Sequence, residues 1–173
     1  MPTVVLAFFA LSAAAASDGA SALLVVQCNL AVTYEKLGRH EEALQMKRDV
    51  YSGRLKLYGE EHRETVRDAF NYAVSLVRLK RFEEDRSLLR KNLPVLRRVA
   101  RDSSEVSIRM RALYAQSLYH DAAATLDDLR EAATTLEDTV QIARRVFGGA
   151  HPTTEEMEVA VRDARTILCA REA

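Results

Sequence analysis

The sequence contains one histidine pattern twice, G-x-x-H-x-x-T. The first copy lies in LYGEEHRETV, residues 57–66, and the second in VFGGAHPTTE, residues 146–155. The matching residues are Gly59, His62 and Thr65 in the first copy and Gly148, His151 and Thr154 in the second. Histidine beside carboxylates is a combination used for general acid–base catalysis and for metal binding. The pattern is therefore either a chemical site or a repeated element of structure.

An internal repeat of 42 residues favours the structural explanation. Residues 29–31, 71–73 and 113–115 align at this period, and residues 37–46 align with 79–88. The third unit is shifted by five further residues, and we place that insertion in or near the stretch YHDAAAT, between the two helices of the unit. Repeats of this length are typical of helical solenoids.

The two histidine patterns lie 89 residues apart, which is two periods and the five-residue shift. A middle copy would fall at Arg101, Ser104 and Ser107, where we expect the pattern to have decayed to the hydroxyl at the threonine position. No second His or Cys lies three or four residues from either histidine, as a zinc site on a helix would require. We therefore interpret the pattern as a boundary between repeat units and not as a catalytic or metal site.

Each unit is predicted to form two amphipathic helices. Apolar residues such as Leu23, Val26 and Leu30 recur every three or four positions, which is a helical period and not the alternation of a strand. The expected helices are 20–37, 40–57, 63–80, 82–100, 104–119, 125–147 and 152–170. Such pairs bury their apolar faces only by stacking on neighbours. The predicted fold is therefore all-α, a right-handed superhelical solenoid of antiparallel helix pairs with about three and a half repeats and a C-terminal capping helix.

The histidine pattern fits the helix boundaries of this solenoid. Its glycines follow a helix end, where glycine accepts the left-handed conformation of a C-cap. Pro152 suits the first turn of a helix, because its missing N–H has no partner there. This assignment places His151, and by register His62, at the N-cap of the next helix. The capping helix that follows is expected to bury Met157, Val161, Ala164 and Leu168.

Composition and motifs exclude several functional classes. Hydrophobic residues make up 48% of the chain and charged residues 29%, which excludes extensive disorder. The formal net charge is zero, so no overall field attracts nucleic acid or acidic membranes. The sequence has no glycine-rich phosphate loop, G-x-S-x-G or H-E-x-x-H. We therefore predict that the chain is not an enzyme, holds no cofactor or metal, and binds no nucleic acid.

The domain prediction divides the chain into residues 1–17, an apolar segment, and residues 18–173, the helical repeat domain. The apolar segment is too short to span a bilayer. Its small residues resemble a signal-peptide cleavage site, but no Lys or Arg precedes them, so an extra helix is the alternative. The predicted localisation is cytoplasmic, or the secretory pathway if the segment is a signal peptide. Cys28 and Cys169 have no metal spacing and are predicted to be buried, reduced thiols.

The stretches NLAVTYEKLGRHEEAL, residues 29–44, and LYGEEHRET, residues 57–65, resemble the 42-residue tetratricopeptide repeats (TPRs) of kinesin light chains. The resemblance extends over residues 20–171. It implies a protein-interaction scaffold in which the first helix of each pair lines a concave groove that holds an extended peptide. The alternatives are a structural or self-associating array and a recruiting fragment of a larger protein.

The resemblance also implies which side chains contact the peptide. They are Val25, Cys28, Asn29, Val32, Glu35 and Lys36 in the first unit, Arg67, Phe70, Asn71, Val74, Val77 and Arg78 in the second, and Arg109, Ala112, Leu113, Gln116, Tyr119 and His120 in the third. The amides of Asn29 and Asn71 suit a peptide backbone, since each offers a donor and an acceptor. The groove arginines suit carboxylates. The partner is therefore predicted to be a protein or peptide, with a preference for acidic segments.

The second unit departs from the pattern of the first at three positions. Asp85 replaces the small residue Ala43, so an aspartate is either buried at a cost or turned outward. Lys80 replaces the turn glycine Gly38, where a positive φ would strain a lysine. Pro94 lies inside a predicted helix and is expected to kink it.

Overall fold

The computed structural model describes the backbone of residues 2–100 and 103–173 and the side chains of residues 19–100 and 103–173. In this part of the chain seven helices form and no strand does. The helices are α1 (Pro2–Lys36), α2 (His40–Tyr58), α3 (Arg63–Arg78), α4 (Phe82–Val99), α5 (Glu105–Tyr119), α6 (Leu126–Phe147) and α7 (Pro152–Glu172). The predicted all-α fold of paired helices is confirmed, and α2 to α7 begin and end within two residues of the predicted bounds.

The first helix is longer than predicted. The structure has one helix from Pro2 to Lys36, where the sequence predicted a helix over 20–37. The physical reason is that residues 2–20 contain no helix-terminating signal after Pro2, a residue favoured at a helix start, and Gly19 alone does not end a helix. The side chains of residues 1–17 lie outside those described. Whether these residues are a signal peptide or an extra helical segment of the mature chain stays a prediction.

The chain divides into two compact units, residues 1–59 and residues 60–173. In the first unit α1 packs against α2. Ala31 of α1 and Ala43 of α2 are fully buried, and Gly53 of α2 lies so close to Leu24 of α1 that an added Cβ would come within 2.7 Å of it. An ion pair joins the same two helices, with Lys47 Nζ of α2 lying 2.8 Å from Glu35 Oε1 of α1.

The second unit contains α3 to α7, each packed on the next, with α3 also contacting α5 and α5 also contacting α7. Its core is apolar and close-packed, with several large side chains fully buried, including Leu76, Leu89, Ile108, Met110, Leu118, Leu129 and Leu136. The odd-numbered helices therefore lie next to one another along one side of this unit, where the resemblance implied a groove. The predicted burial of Met157 and Ala164 in α7 is confirmed, whereas Val161 and Leu168, which were also predicted to be buried, are half-buried.

The histidine pattern forms helix boundaries, as predicted. Nδ1 of His62 accepts a hydrogen bond from the backbone N–H of Glu64 at 3.2 Å, which makes it the N-cap of α3. His151 does the same for α7, accepting from Thr153 at 3.2 Å. Gly59 and Gly148 follow helix ends with φ of 80° and 88°. Their ψ angles of 176° and 164° correct the predicted C-cap conformation, because they are extended and not left-handed helical.

The middle copy of the pattern keeps its capping role although its residues have changed. Ser104 is the N-cap of α5, and its Oγ accepts a hydrogen bond from the N–H of Ser107 at 3.2 Å. The sequence predicted only a decayed remnant here, and that prediction was wrong because an N-cap requires an acceptor atom and not a particular side chain. The predicted equivalent of the glycine, Arg101, lies outside the described residues.

The insertion in the third unit is shared between a turn and a helix. Six residues, 120–125, separate α5 from α6, whereas residues 37–39 and 79–81 form the two shorter turns. In addition α6 has 22 residues and α2 has 19. The sequence therefore located the insertion correctly near the turn but missed that part of it lengthens the helix. Thr125 caps α6 as predicted and forms a capping box with Asp128.

The departures in the second unit have definite outcomes. Asp85 is fully buried, so the alternative that it turns outward is wrong. Lys80 has φ of 58°, close to the 75° of Gly38, so the strained turn is confirmed. The helix α4 continues across Pro94 from Phe82 to Val99.

Two smaller findings complete the description. Cys28 is half-buried and Cys169 is exposed, so the prediction of buried thiols was wrong, most clearly for Cys169, which lies in the last turns of α7. Among the helices that the structure describes, none combines the length and the apolar character of a membrane span.

Candidate functional site

A pocket of about 180 Å³ opens on the side of the second unit where α3, α5 and α7 lie next to one another. We call its lining the groove pocket. The lining residues are Phe70 and Val74 from α3, Arg109, Ala112, Leu113 and Gln116 from α5, and Glu156 and Met157 from α7. They are brought together because the repeat places equivalent faces of successive first helices side by side. The first six of them are residues that the sequence placed in a groove.

The floor of the groove pocket is apolar. Ala112 and Met157 are buried, and Phe70, Val74 and Leu113 are half-buried. A half-buried apolar surface in a concave site is the kind of surface that an apolar ligand side chain covers favourably. The volume is that of a site for one side chain and not for a cofactor.

Charged groups at the mouth of the groove pocket have both signs. Arg109 Nε lies 3.1 Å from Glu105 Oε1, and both side chains are largely exposed. Arg67 of α3, one repeat earlier, forms an ion pair with Glu64. Exposed pairs of this kind contribute about 0–1 kcal/mol, so a ligand carboxylate can compete for either arginine. Glu156 opposes an acidic ligand at the α7 side.

Two side-chain amides accompany the apolar floor. Asn71 of α3 and Gln116 of α5 are half-buried. Within the described part of the chain neither side-chain amide forms a hydrogen bond, although the carbonyl of each residue accepts one. Each amide therefore keeps a donor and an acceptor for a ligand backbone.

Tyr119, which the resemblance placed in the groove, is buried in the core of the unit. Its ring lies 4.2 Å from the ring of His120, centroid to centroid. Burial raises the pKa of Tyr119 to about 12. Tyr119 is only 4% exposed, so it is much less accessible to a ligand than the half-buried Gln116.

The remaining predicted residues do not line the groove pocket. Arg78 is exposed at the last turn of α3. Asn29, Val32 and Lys36 are exposed on one face of α1, in the first unit. The buried face of α1, which includes Leu24 and Ala31, is a different one.

Sequence reasoning missed the contribution of α7. Glu156 and Met157 line the pocket, whereas the sequence had assigned α7 only a capping role. The signal was present in the 89-residue offset between the histidine patterns, because that offset places Glu156 at the position of Arg67. The same register puts Val159, which is exposed, at the position of Phe70.

Comparison with known proteins gives a consistent picture. The sequence profile of the tetratricopeptide repeat matches residues 20–98. Two structures of a Podosopora anserina protein assigned as a kinesin light chain, with nearly identical TPR-like repeats, superpose with TM-scores of 0.70 and 0.68. Both are 19% identical to this chain and match 86% of it and 68% of their own length.

BtubC (BKLC) from P. vanneervenii gives a TM-score of 0.65 at 16% identity, over 89% of this chain and 66% of its own length. No curated protein matches the chain. At these identities the solved structures establish a likeness of fold.

Proposed function

We propose that the second unit of this chain binds an extended peptide segment of a partner protein along α3, α5 and α7. The proposal starts from the match of residues 20–98 to the tetratricopeptide repeat profile and from the likeness of fold to the kinesin light chain repeats. The repeat fold supports a protein-interaction scaffold in general. The observation that carries the specific proposal is the groove pocket, because six of its eight lining residues belong to the face that the family uses for peptides.

An apolar side chain of the peptide is the expected anchor. The pocket of about 180 Å³ has room for one such side chain above Phe70, Val74 and Met157. Burying an apolar side chain of this size contributes about 1.5–3 kcal/mol before the cost of ordering the peptide. The amide of Gln116, which lines the pocket, suits the peptide backbone, and we expect the amide of Asn71, the residue after Phe70, to do the same.

Acidic residues next to the anchor are expected to improve binding. Arg67 and Arg109 are exposed and engaged only by exposed or half-exposed acids of their own helices. A ligand carboxylate that meets a guanidinium can form a charge-assisted, bidentate hydrogen bond. Glu156 limits this preference to the part of the peptide that lies near α3 and α5.

A peptide array tests the proposal directly. The array holds one leucine or phenylalanine anchor with flanks that are acidic, neutral or basic, and the full chain is the probe. We expect binding to require the anchor and to decrease from acidic to basic flanks, with the difference reduced at high salt. Equal binding to acidic and basic flanks would refute the acidic preference, and binding without an anchor would refute the pocket.

Matched variants locate the binding surface. Val74→Asp places a charge in the pocket and is expected to weaken peptide binding about tenfold or more. Val146→Asp is the control for the change of residue type, because Val146 is also a helical valine but is exposed on α6 outside the pocket. An Asn71→Ala variant tests the backbone contact, and Asn29→Ala tests whether the first unit takes part. Unchanged affinity in Val74→Asp would show that the peptide binds elsewhere.

We also propose that the chain acts without catalysis and in the cytoplasm. Its histidine pattern is used for helix capping, so the residues that first suggested chemistry have a structural role. Localisation of the tagged full chain in its source cell tests the second part, and a secreted or processed product would contradict it.

A further inference from the structure

An apolar stripe is exposed on α1, on a face other than that of Asn29. It consists of Leu23, Val26 and Leu30, with Leu37 just beyond the helix, and these side chains are 58%, 61%, 39% and 66% exposed. Their spacing of three, four and seven residues places them in one line along the helix. Large apolar side chains exposed together in this way indicate an interaction surface.

The repeat register shows what this stripe is built to contact. Two periods later, the positions of Leu23, Val26 and Leu30 correspond to Ser107, Met110 and Tyr114 of α5. All three are buried there, where α5 packs on α3 and α4, and Tyr114 Oη accepts a hydrogen bond from Arg90 of α4 at 3.2 Å. Tyr114 Oη also donates a hydrogen bond to Glu131 of α6 at 2.8 Å. The stripe of α1 therefore occupies positions that are buried against neighbouring helices in α5.

The charge of this face indicates which occupant fits. Residues 19–34 contain no Asp, Glu, Lys or Arg, and Asp18 is the one such residue among residues 2–34. In a two-fold symmetric contact the same surface faces itself, so any charge near the axis meets its own copy. A long helix face with no charge therefore suits a contact between two copies of α1.

The opposite end of the repeats does not suit the stripe. In α3 and α5, one buried face packs against the helices that follow in the chain. Its residues are Ala73 and Leu76 in α3, and Ala115 and Leu118 in α5. In α7 the equivalent positions are Arg162 and Arg165, and both are exposed. Arg165 forms an ion pair with Glu137 of α6 at 2.6 Å. A charged face of this kind cannot replace an apolar helix against the stripe, so head-to-tail stacking of copies is disfavoured.

We propose that two copies of this chain form a two-fold symmetric dimer in which the apolar stripes of their α1 helices pack against each other. The contact uses a face of α1 roughly a third of a turn away from Asn29 and Val32, as the helical period of 3.6 residues requires. The stripe shares no residue with the groove pocket, so the proposal does not depend on the proposed peptide binding.

Sedimentation equilibrium of the full chain over a dilution series tests the dimer. We expect a reversible monomer–dimer equilibrium for the wild type. In a Val26→Asp, Leu30→Asp variant we expect the dissociation constant to rise roughly 100-fold or more, because each carboxylate would be buried against its own copy. The control is Leu126→Asp, Val146→Asp, which changes one exposed leucine and one exposed valine on α6 and should keep the dimer.

Helix content and thermal unfolding of each variant, followed by circular dichroism, separate dissociation from unfolding. A Val26→Ser, Leu30→Ser variant gives a milder change if the aspartates unfold the chain, and it too should weaken the dimer. A monomeric wild type would overturn the proposal. Association that persists in both stripe variants, or open polymers in place of dimers, would overturn it as well.

Discussion

Lys80 holds a backbone conformation that its side chain disfavours. Its φ of 58° occurs in the turn between α3 and α4, where Gly38 has 75° in the equivalent turn of the first unit. For a residue with a Cβ, the left-handed conformation costs about 1–2 kcal/mol of folding free energy. Glycine avoids most of this steric cost, but it loses more conformational entropy on folding, which offsets part of the gain. We expect Lys80→Gly to raise the free energy of unfolding by about 1 kcal/mol.

Urea denaturation of Lys80→Gly beside the wild type measures this difference. The converse variant, Gly38→Ala, is the matched control and should lower the free energy of unfolding by a similar amount. Nothing lies within 4 Å of an added Cβ at Gly38, so its cost would come from the backbone alone. A neutral effect of both variants would contradict the strain assigned to these turns.

Asp85 gives the fold a dependence on pH. Within the described residues neither of its carboxylate oxygens accepts a hydrogen bond, and the hydroxyl of Ser117 is directed to the carbonyl of Tyr114, 2.8 Å away. Burial raises the pKa of Asp85 to about 7, and the positive charge of the nearby Arg86 opposes this rise only in part. The folded chain therefore binds a proton that the unfolded chain, with a pKa of about 3.9, has released.

Because the folded-state pKa is the higher one, Asp85 favours folding at low pH and loses that contribution as the pH rises from about 4 to about 7. Asp85→Ala restores the residue type of Ala43 and removes this dependence. The quantity to compare is the unfolding free energy of Asp85→Ala minus that of the wild type. We expect this difference to be roughly 2–3 kcal/mol more positive at pH 8 than at pH 5. Urea denaturation at both pH values measures it, and a constant difference would refute the buried-carboxyl account.

Three residues, Lys80, Asp85 and Glu156, show how far the sequence could predict the structure at single positions. The strain at Lys80 followed from alignment with Gly38, because the turn length is the same in both units. The sequence left the position of Asp85 open, since burial of a carboxylate depends on neighbours that only packing defines. Glu156 was missed although the repeat register contained it, because α7 was considered as a cap and not as a groove helix.

At the scale of helices, the repeat units keep a side-chain N-cap at equivalent helix starts, although the residue type that forms the cap changes. Histidine caps α3 and α7, serine caps α5 and threonine caps α6. Each supplies one acceptor atom for a backbone N–H that has no partner in the helix. The bounds of α3, α5, α6 and α7 were predictable for this reason, since their caps can be recognised in the sequence. The start of α1 was not, because the turn-like pair Asp18-Gly19 lies inside the helix.

The cap of α5 allows a direct test. Ser104→Ala removes the acceptor for the N–H of Ser107, and we expect the free energy of unfolding to fall by about 1 kcal/mol. Ser103→Ala is the control, because Ser103 is exposed and lies one residue before the cap. Ser104→Asp should keep most of the stability, since aspartate is an equally good cap. An equal loss in Ser103→Ala and Ser104→Ala would contradict the assignment.

At the scale of the whole molecule, the first and last helices present faces of opposite character. The stripe of α1 is apolar, and the corresponding onward face of α7 carries Arg162 and Arg165. If the charges limit association to dimers, Arg162→Ala with Arg165→Leu should give α7 the residues of α3 and allow larger assemblies. Light scattering over a concentration series measures the change. The control Arg145→Ala removes an exposed arginine from α6 and should leave the mass unchanged.

The repeat architecture was fully predictable, because a 42-residue period and its helical spacing constrain the pairing of neighbouring elements. The peptide groove was predictable only in part. Six residues of the second and third units line one pocket as the resemblance implied: Phe70, Val74, Arg109, Ala112, Leu113 and Gln116. Tyr119 does not, because the third unit packs that position into its core, which no pattern of residue types distinguishes from a groove position.

The charged face of α7 also bears on how such a gene can grow or be redesigned. Duplicating a 42-residue block inside the second unit would give each new helix pair an apolar neighbour before and after it. The same block joined after Glu172 would set its helices beside Arg162 and Arg165. Lengthening by internal duplication should therefore yield folded, longer proteins, whereas extension at α7 should require those two arginines to be replaced first.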